Sequence, residues 1–294
     1  MFVSFCCFVH VRARFVRTSA PPCLGAAWCK CRSAWGSVTD GAVASLNVGD
    51  RFITYTVTEG LCSDLVMATL ADLSGDLWLG TYGNGVCRLD GMASITTVDG
   101  LPNNTVWCGL VDADSSLWFG TSEGLAHIRK GRVVPLDSVR ALAGQRVLAL
   151  HRDVGGNLWC GTRDGLVTLH PDGSKEVLRE VDGKPLRGVR GILEMKDGTV
   201  WLASDIGAVS IQGGVAKRFT AADGLGNNTV FCLVADAKGR LWMGTSNGLT
   251  CRESGGFRTI ELGEDVGSNY IDLLLRDGSD LWAGTNNGLY RFNP

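Results

Sequence analysis

The sequence reads as an all-β chain, a β-propeller of four-stranded antiparallel blades, and three observations carry that reading. Tryptophans stand at positions 35, 78, 118, 159, 201, 242 and 282, separated by 43, 40, 41, 42, 41 and 40 residues. Forty glycines against seven prolines indicate many tight turns rather than a proline-rich disordered chain. No segment keeps apolar residues at the i, i+3, i+4, i+7 spacing of an amphipathic helix. At 294 residues and 45% hydrophobic content the chain has enough apolar material for a sizeable core.

Each period can be taken apart in order. First comes an apolar run, such as Thr105–Val111 or Thr229–Val234, of strand length and apolar on both faces, as in a sheet stacked between two others. A turn with Asp and often Gly follows (Asp72–Gly75, Asp112–Ser115, Asp153–Gly156, Asp236–Gly239), suited to hairpin geometry. The second strand is the most regular piece: LWLGT at 77–81, LWFGT at 117–121, LWCGT at 158–162, VWLAS at 200–204, LWMGT at 241–245 and LWAGT at 281–285. A weaker copy, AWGSV, lies at 34–38. The tryptophans are expected to pack between blades, and the glycine after each to let neighbouring blades approach. A second tight turn with Gly at 85, 124, 165, 207, 248 and 288 leads to a third strand, as at Leu125–Arg129, Leu166–Leu169 and Leu289–Phe292. A fourth strand then ends the repeat, as at Phe52–Thr56 or Ile95–Val98. Four antiparallel strands per forty residues make a propeller blade. Seven motifs give seven blades, with six as the alternative. Closure of the ring is expected from Phe52–Thr56 adding to the C-terminal three strands, which removes exposed sheet edges.

The first 33 residues hold five basic side chains (Arg12, Arg14, Arg17, Lys30, Arg32) and no acidic one. They read as an atypical, disordered lead before a single propeller domain over 34–294. The apolar stretch Phe2–Val11 precedes the arginines, the reverse of a secretory signal, and is too short to span a bilayer. Net charge is −2, and the body beyond the lead is acidic, which disfavours nucleic-acid binding. Eleven cysteines form no small-domain disulfide pattern. Cys108 and Cys232 recur at equivalent strand positions, as do Cys87 and Cys251, and read as small buried hydrophobes. Cys23, Cys29 and Cys31 fit no standard zinc spacing. No cofactor or metal is called for.

The stretches LWxGTxxGL, together with DGLPNNTV at 99–106 and DGLGNNTV at 223–230, resemble the two-component regulator propeller repeat family. The resemblance covers 34–294; Ala203-Ser204 and Gly36-Ser37-Val38 depart from it. It implies an extracytoplasmic or periplasmic sensor region of the kind found in bacterial hybrid histidine kinases or diguanylate cyclases, several of which respond to carbohydrates. Neither a kinase segment nor a transmembrane helix is readable here. The expected partners are therefore a small polar ligand such as a glycan, and a signalling protein or output domain beyond this chain.

Chemistry-bearing motifs are scarce. His10, His127, His151 and His170 make no metal spacing, and no P-loop is present. No catalytic residue is assigned. A binding site is expected on one rim, where fourth-to-first and second-to-third connections meet as loops on a rigid scaffold. Asn103, Asn104, Asn227, Asn228 and Asn269 fall there, with Asp64, Arg146 and Arg187 at corresponding places. The residues after each GT face the same rim: Tyr82, Ser122, Arg163, Asp205, Ser246 and Asn286. Amide, hydroxyl and aromatic groups suit a sugar, although asparagine before a strand is also an ordinary turn residue. A non-catalytic sensor is the principal reading, a protein-interaction scaffold the alternative. A streptogramin-lyase-like enzyme is a third, lacking an identifiable base or acidic metal cluster.

Overall fold

A computed structural model describes residues 36–37, 44–48, 51–55, 57, 61–89, 94–135 and 142–294, the first three stretches by backbone alone. The lead over 1–33, with Cys23, Cys29, Cys31 and His10, lies outside the described residues. The chain folds as an all-β, six-bladed propeller. A short sheet, β1 (Gly36–Ser37), β2 (Ala44–Val48) and β3 (Arg51–Tyr55), comes first. Blade one follows as β4 (Val66–Ala71), β5 (Leu77–Thr81), β6 (Val86–Arg88) and β7 (Ser94–Ile95). Blade two is β8 (Val106–Val111), β9 (Leu117–Thr121), β10 (Gly124–Arg129) and β11 (Arg132–Val133). Blade three is β12 (Val147–Arg152), β13 (Leu158–Thr162), β14 (Gly165–Leu169) and β15 (Lys175–Leu178). A hairpin, β16 (Glu180–Val181) and β17 (Lys184–Pro185), is inserted before blade four: β18 (Gly191–Glu194), β19 (Val200–Ser204), β20 (Gly207–Gln212) and β21 (Val215–Phe219). Blade five is β22 (Val230–Ala235), β23 (Leu241–Thr245), β24 (Gly248–Glu253) and β25 (Gly256–Ile260). Blade six has three strands, β26 (Ile271–Asp277), β27 (Asp280–Thr285) and β28 (Gly288–Phe292).

The second-strand motif assigns a task to almost every position. Its middle residue is buried in all six blades, and its first in five, Leu77 being partly buried. Its tryptophan packs toward the next blade: Trp118 clusters with Val147 and Leu158 of blade three, Trp201 with Val230 and Leu241 of blade five, and Trp242 with Ile271 and Leu281 of blade six. The glycine marks close approach. A Cβ on Gly80 would sit 2.6 Å from Val106 Cγ1, and one on Gly161 would sit 2.5 Å from the Val189 carbonyl oxygen. The final hydroxyl clasps the following turn in all six blades: Thr81, Thr121, Thr162, Ser204, Thr245 and Thr285 donate to the carbonyls of Gly85, Gly124, Gly165, Gly207, Gly248 and Gly288 at 2.7–2.9 Å. Those glycines all have positive φ, the region that costs other residues strain.

Four sequence expectations need correction. Seven motifs do not make seven blades, because AWGSV supplies only β1 of the short N-terminal sheet. The closing strand is not where it was expected, since β3 pairs with β2 and the C-terminal sheet keeps three strands among the described residues. Short helical turns do occur, in the connections between blades. Thr97–Asp99 and Ala221–Asp223 are 3₁₀ turns capped reciprocally by Thr96 with Asp99 and by Thr220 with Asp223, and α1 is a single turn at Val266–Asn269; local capping, not helical periodicity, makes them. Cys87 is not a free buried thiol. It forms a disulfide with Cys62, joining the third strand of blade one to the loop that precedes that blade. Cys160 and Cys251 are buried and Cys108 and Cys232 partly buried, as small packing residues; burial holds the Cys160 and Cys232 thiols well above the ordinary range.

Candidate functional site

The first strand of each blade begins at one rim, and in five blades it carries a β-bulge at its second position. The ladder jumps over Met67, Trp107, Leu148, Phe231 and Asp272. In blade four the ladder starts at Gly191 opposite Ala203, and Arg190 holds the corresponding place, its N–H donating to Ala203 O at 2.9 Å. A bulge frees one residue from the pairing pattern and re-aims its side chain. The five freed residues and Arg190 thus stand one per blade, with mixed chemistry.

The residue after each GT is tied by its backbone to the loop entering the first strand. Tyr82, Ser122, Arg163, Asp205 and Ser246 donate N–H bonds to Leu65, Thr105, Arg146, Arg187 and Thr229 carbonyls at 2.8–3.2 Å. The structure therefore brings these residues together with Arg146 and Arg187 on the rim that carries the bulges. Asn286 is exposed at the equivalent place in blade six.

Two groups of side chains stand out along that rim. In the first, Trp107 donates its indole N–H to Ser122 Oγ at 2.8 Å. Tyr82 meets its ring edge-on at 6.2 Å between centroids, and the Arg146 guanidinium lies 4.9 Å over it. Tyr82 is 44% exposed, so the aromatic edge is open to solvent. In the second, Arg190 pairs with Asp205 and reaches over the Phe231 ring at 5.9 Å, while Phe231 packs on Tyr270 at 4.8 Å. Burial and the adjacent Asp272 carboxylate push the Tyr270 phenol up from its ordinary value. It remains a neutral hydroxyl at physiological pH. Aromatic faces beside polar donors form the surface a sugar or other polar ligand requires.

The asparagines have a different occupation. Asn103 and Asn227 accept from the N–H groups of Thr105 and Thr229 at 2.8 and 2.9 Å. Asn104, Asn228 and Asn269 accept from Thr97, Ala221 and Leu262, each seven residues back, at 2.8 Å. Asp64 accepts from Val57 in the same way at 2.7 Å. Their side-chain oxygens pin the inter-blade connections, which is the turn role that weighed against them at the sequence level. The residues that sequence reasoning passed over are Trp107, Arg190, Phe231, Tyr270 and Asp272. One signal was available: Trp107 falls outside the tryptophan period.

The opposite end of the propeller has its own rule. Asp72, Asp112, Asp153 and Asp236, in the turn after each first strand, accept the indole N–H of Trp78, Trp118, Trp159 and Trp242 at 2.8–3.1 Å. Described histidines sit at this end or within strands. His170 bonds Asn157, His151 faces Glu194, and His127 stacks on Trp118. None of the three reaches the bulge rim.

Comparison with known proteins bears on this geometry. Residues 224–247, from the αL glycine after the second capped turn through the LWMGT strand, match the family model described as Two component regulator propeller. The match is confined to that stretch of 24 residues, one repeat of the chain. The chain resembles in structure the extracellular domain of a protein described as a hybrid two component system from B. thetaiotaomicron (19% identity, TM-score 0.64). That match covers 95% of this chain and 42% of the other, so the chain spans less than half the length of that domain. It resembles PorZ, a surface component of the type-IX secretion system of Porphyromonas gingivalis, at 18% identity and TM-score 0.66, over 89% of this chain and 45% of PorZ. It also resembles virginiamycin B lyase from Staphylococcus aureus at 13% identity and TM-score 0.66, over 87% of this chain and 89% of the lyase. At such identities the likeness establishes the fold alone. No curated protein matches the chain.

Proposed function

We propose that this propeller is a non-catalytic input module that binds a small polar ligand, a saccharide, on its bulge rim and passes the signal to an output domain outside this chain. The observation that carries the reading is the Tyr82–Trp107–Ser122–Arg146 group, an exposed aromatic edge with its indole oriented by a hydroxyl and flanked by a guanidinium. The hybrid two component system to which the chain is similar supports a signalling role. The Cys62–Cys87 bridge and an extracellular relative together support an extracytoplasmic location, where disulfides persist. No helix of the described residues is long and apolar enough to cross a membrane.

The test is a thermal-shift screen of the purified chain against neutral and acidic oligosaccharides, followed by titration calorimetry. A ligand at a hundredfold its Kd should stabilise by about 2.7 kcal/mol, a rise of roughly 5 °C for a domain of this size. Trp107→Ala should weaken the hit at least tenfold while leaving the unliganded Tm within a few degrees. A protein partner retained by the rim, with no saccharide active, would instead establish the scaffold reading.

A further inference from the structure

A cleft of about 410 Å³ opens beside the rim, between the β16–β17 hairpin and blade four. Lys184, Arg187 and Arg218 line it with Asp205, Asn228 and the apolar Ile206. Three cationic side chains thus face one carboxylate, and that carboxylate is already engaged by Arg190. Lys184 and Arg187 are exposed and have no ion-pair partner among the described residues. Arg218 is set in place by its neighbours: its Nη1 donates to Ile206 O at 3.3 Å, and its backbone N–H to Asp182 Oδ2 of the hairpin at 2.9 Å. The Asn228 oxygen is held by the Ala221 N–H, which leaves its amide N–H groups as donors.

The cleft is one end of a longer basic arc. Arg163 N–H bonds Arg146 O at 3.1 Å, Gly188 N–H bonds Arg163 O at 2.9 Å, and Asp205 N–H bonds Arg187 O at 3.0 Å. Three arginines are thereby strung along adjoining loops of blades three and four, with Arg190 just inside them. Like charges carried on adjoining loops repel in the absence of a counter-ion. On a chain whose net charge is −2, unpaired cations gathered on one stretch of rim mark an anion's place.

We infer that this cleft holds the acidic group of the ligand, a carboxylate or sulfate on a saccharide, whose sugar rings extend toward the aromatic groups of the rim. Arg187 offers a planar fork to two anionic oxygens, Lys184 a point charge, and Asn228 a neutral donor. The inference rests on the rim-binding reading above.

Four probes separate the possibilities by titration calorimetry: oligogalacturonate, its neutral methyl ester, a sulfated glycosaminoglycan disaccharide, and sodium sulfate alone. At least one acidic saccharide should bind ten- to a hundredfold more tightly than the methyl ester, as loss of charge-assisted bonds requires. The preference should weaken as sodium chloride is raised. The double variant Lys184→Ala/Arg187→Ala should lose that preference, so that acid and methyl ester bind alike, with Arg187→Lys retaining part of it and melting curves confirming that each variant folds. Equal binding of ester and acid, unaffected by the double variant but abolished by Trp107→Ala, overturns the acidic-group assignment and keeps the rim reading. Sulfate alone binding as tightly as any saccharide overturns the sugar component. No binding by any saccharide overturns both.

Discussion

Four donors converge on the carboxylate of Asp236: the Trp242 indole at 3.0 Å, Arg240 Nε at 2.7 Å, and the backbone N–H groups of Lys238 and Arg240 at 2.9 Å. Burial works to raise its pKa, but the bonds from Trp242 and Arg240 outweigh it, and the net shift is downward. A depressed pKa means the group stabilises the fold above the unfolded value of about 4 and loses that contribution as pH falls through the folded value. Asp236→Ala is therefore expected to destabilise by about 2–4 kcal/mol in denaturant melts at pH 7, with the gap from the parent narrowing below pH 4. Blade four supplies the converse. Met195 stands where four of the other turns have aspartate, and the Trp201 indole N–H is buried without an acceptor. Met195→Asp should raise stability by about 1 kcal/mol; no rise in Tm would mean that lost Met195 packing offsets the new bond. The aspartates were visible in the sequence as turn residues. Their second task was not, because a residue six places from a tryptophan meets it only once the hairpin is closed.

At the scale of a strand, the LWxGT motif was legible almost position by position, since each letter answers a constraint that recurs every forty residues. Its exception is instructive. Blade four has Ala203 in place of the glycine, and the facing position on the first strand is Gly191, where the others have Ala68, Cys108, Ala149, Cys232 and Leu273. A Cβ on Gly191 would lie 3.1 Å from Ala203 Cβ. The methyl has moved from one strand to the other. Gly161→Ala, which has no such compensation and meets the Val189 carbonyl, is expected to cost about 1–3 kcal/mol, read as a lowered Tm; an unchanged Tm would show that blade three can slide outward. The bulges were not legible. They are defects of pairing, and residues as unlike as Met67, Trp107 and Asp272 leave no common letter at that position.

For the whole molecule, the tryptophan period specified the blade and its topology but not the number of blades. Counting motifs overstated it, because a motif near the chain's beginning need not bring the strands that complete a sheet. Cysteine positions misled similarly, for Cys62 and Cys87 are 25 residues apart and meet only through the return of blade one. Non-reducing peptide mapping of protein from an oxidising compartment should recover them in one cross-linked species. Removing the bridge by Cys62→Ser/Cys87→Ser should lower stability by about 2–4 kcal/mol. Recovery of both as free thiols would remove the support the bridge lends to an extracytoplasmic site. The set of bulge residues has a consequence for how such a protein can change over time. The ladder pairs, the four indole bonds and the six hydroxyl clasps lie elsewhere, so those six positions can be exchanged independently while the frame stays put. A lineage could alter what its propeller responds to as one resets the tumblers of a lock, one blade at a time and without recasting the barrel.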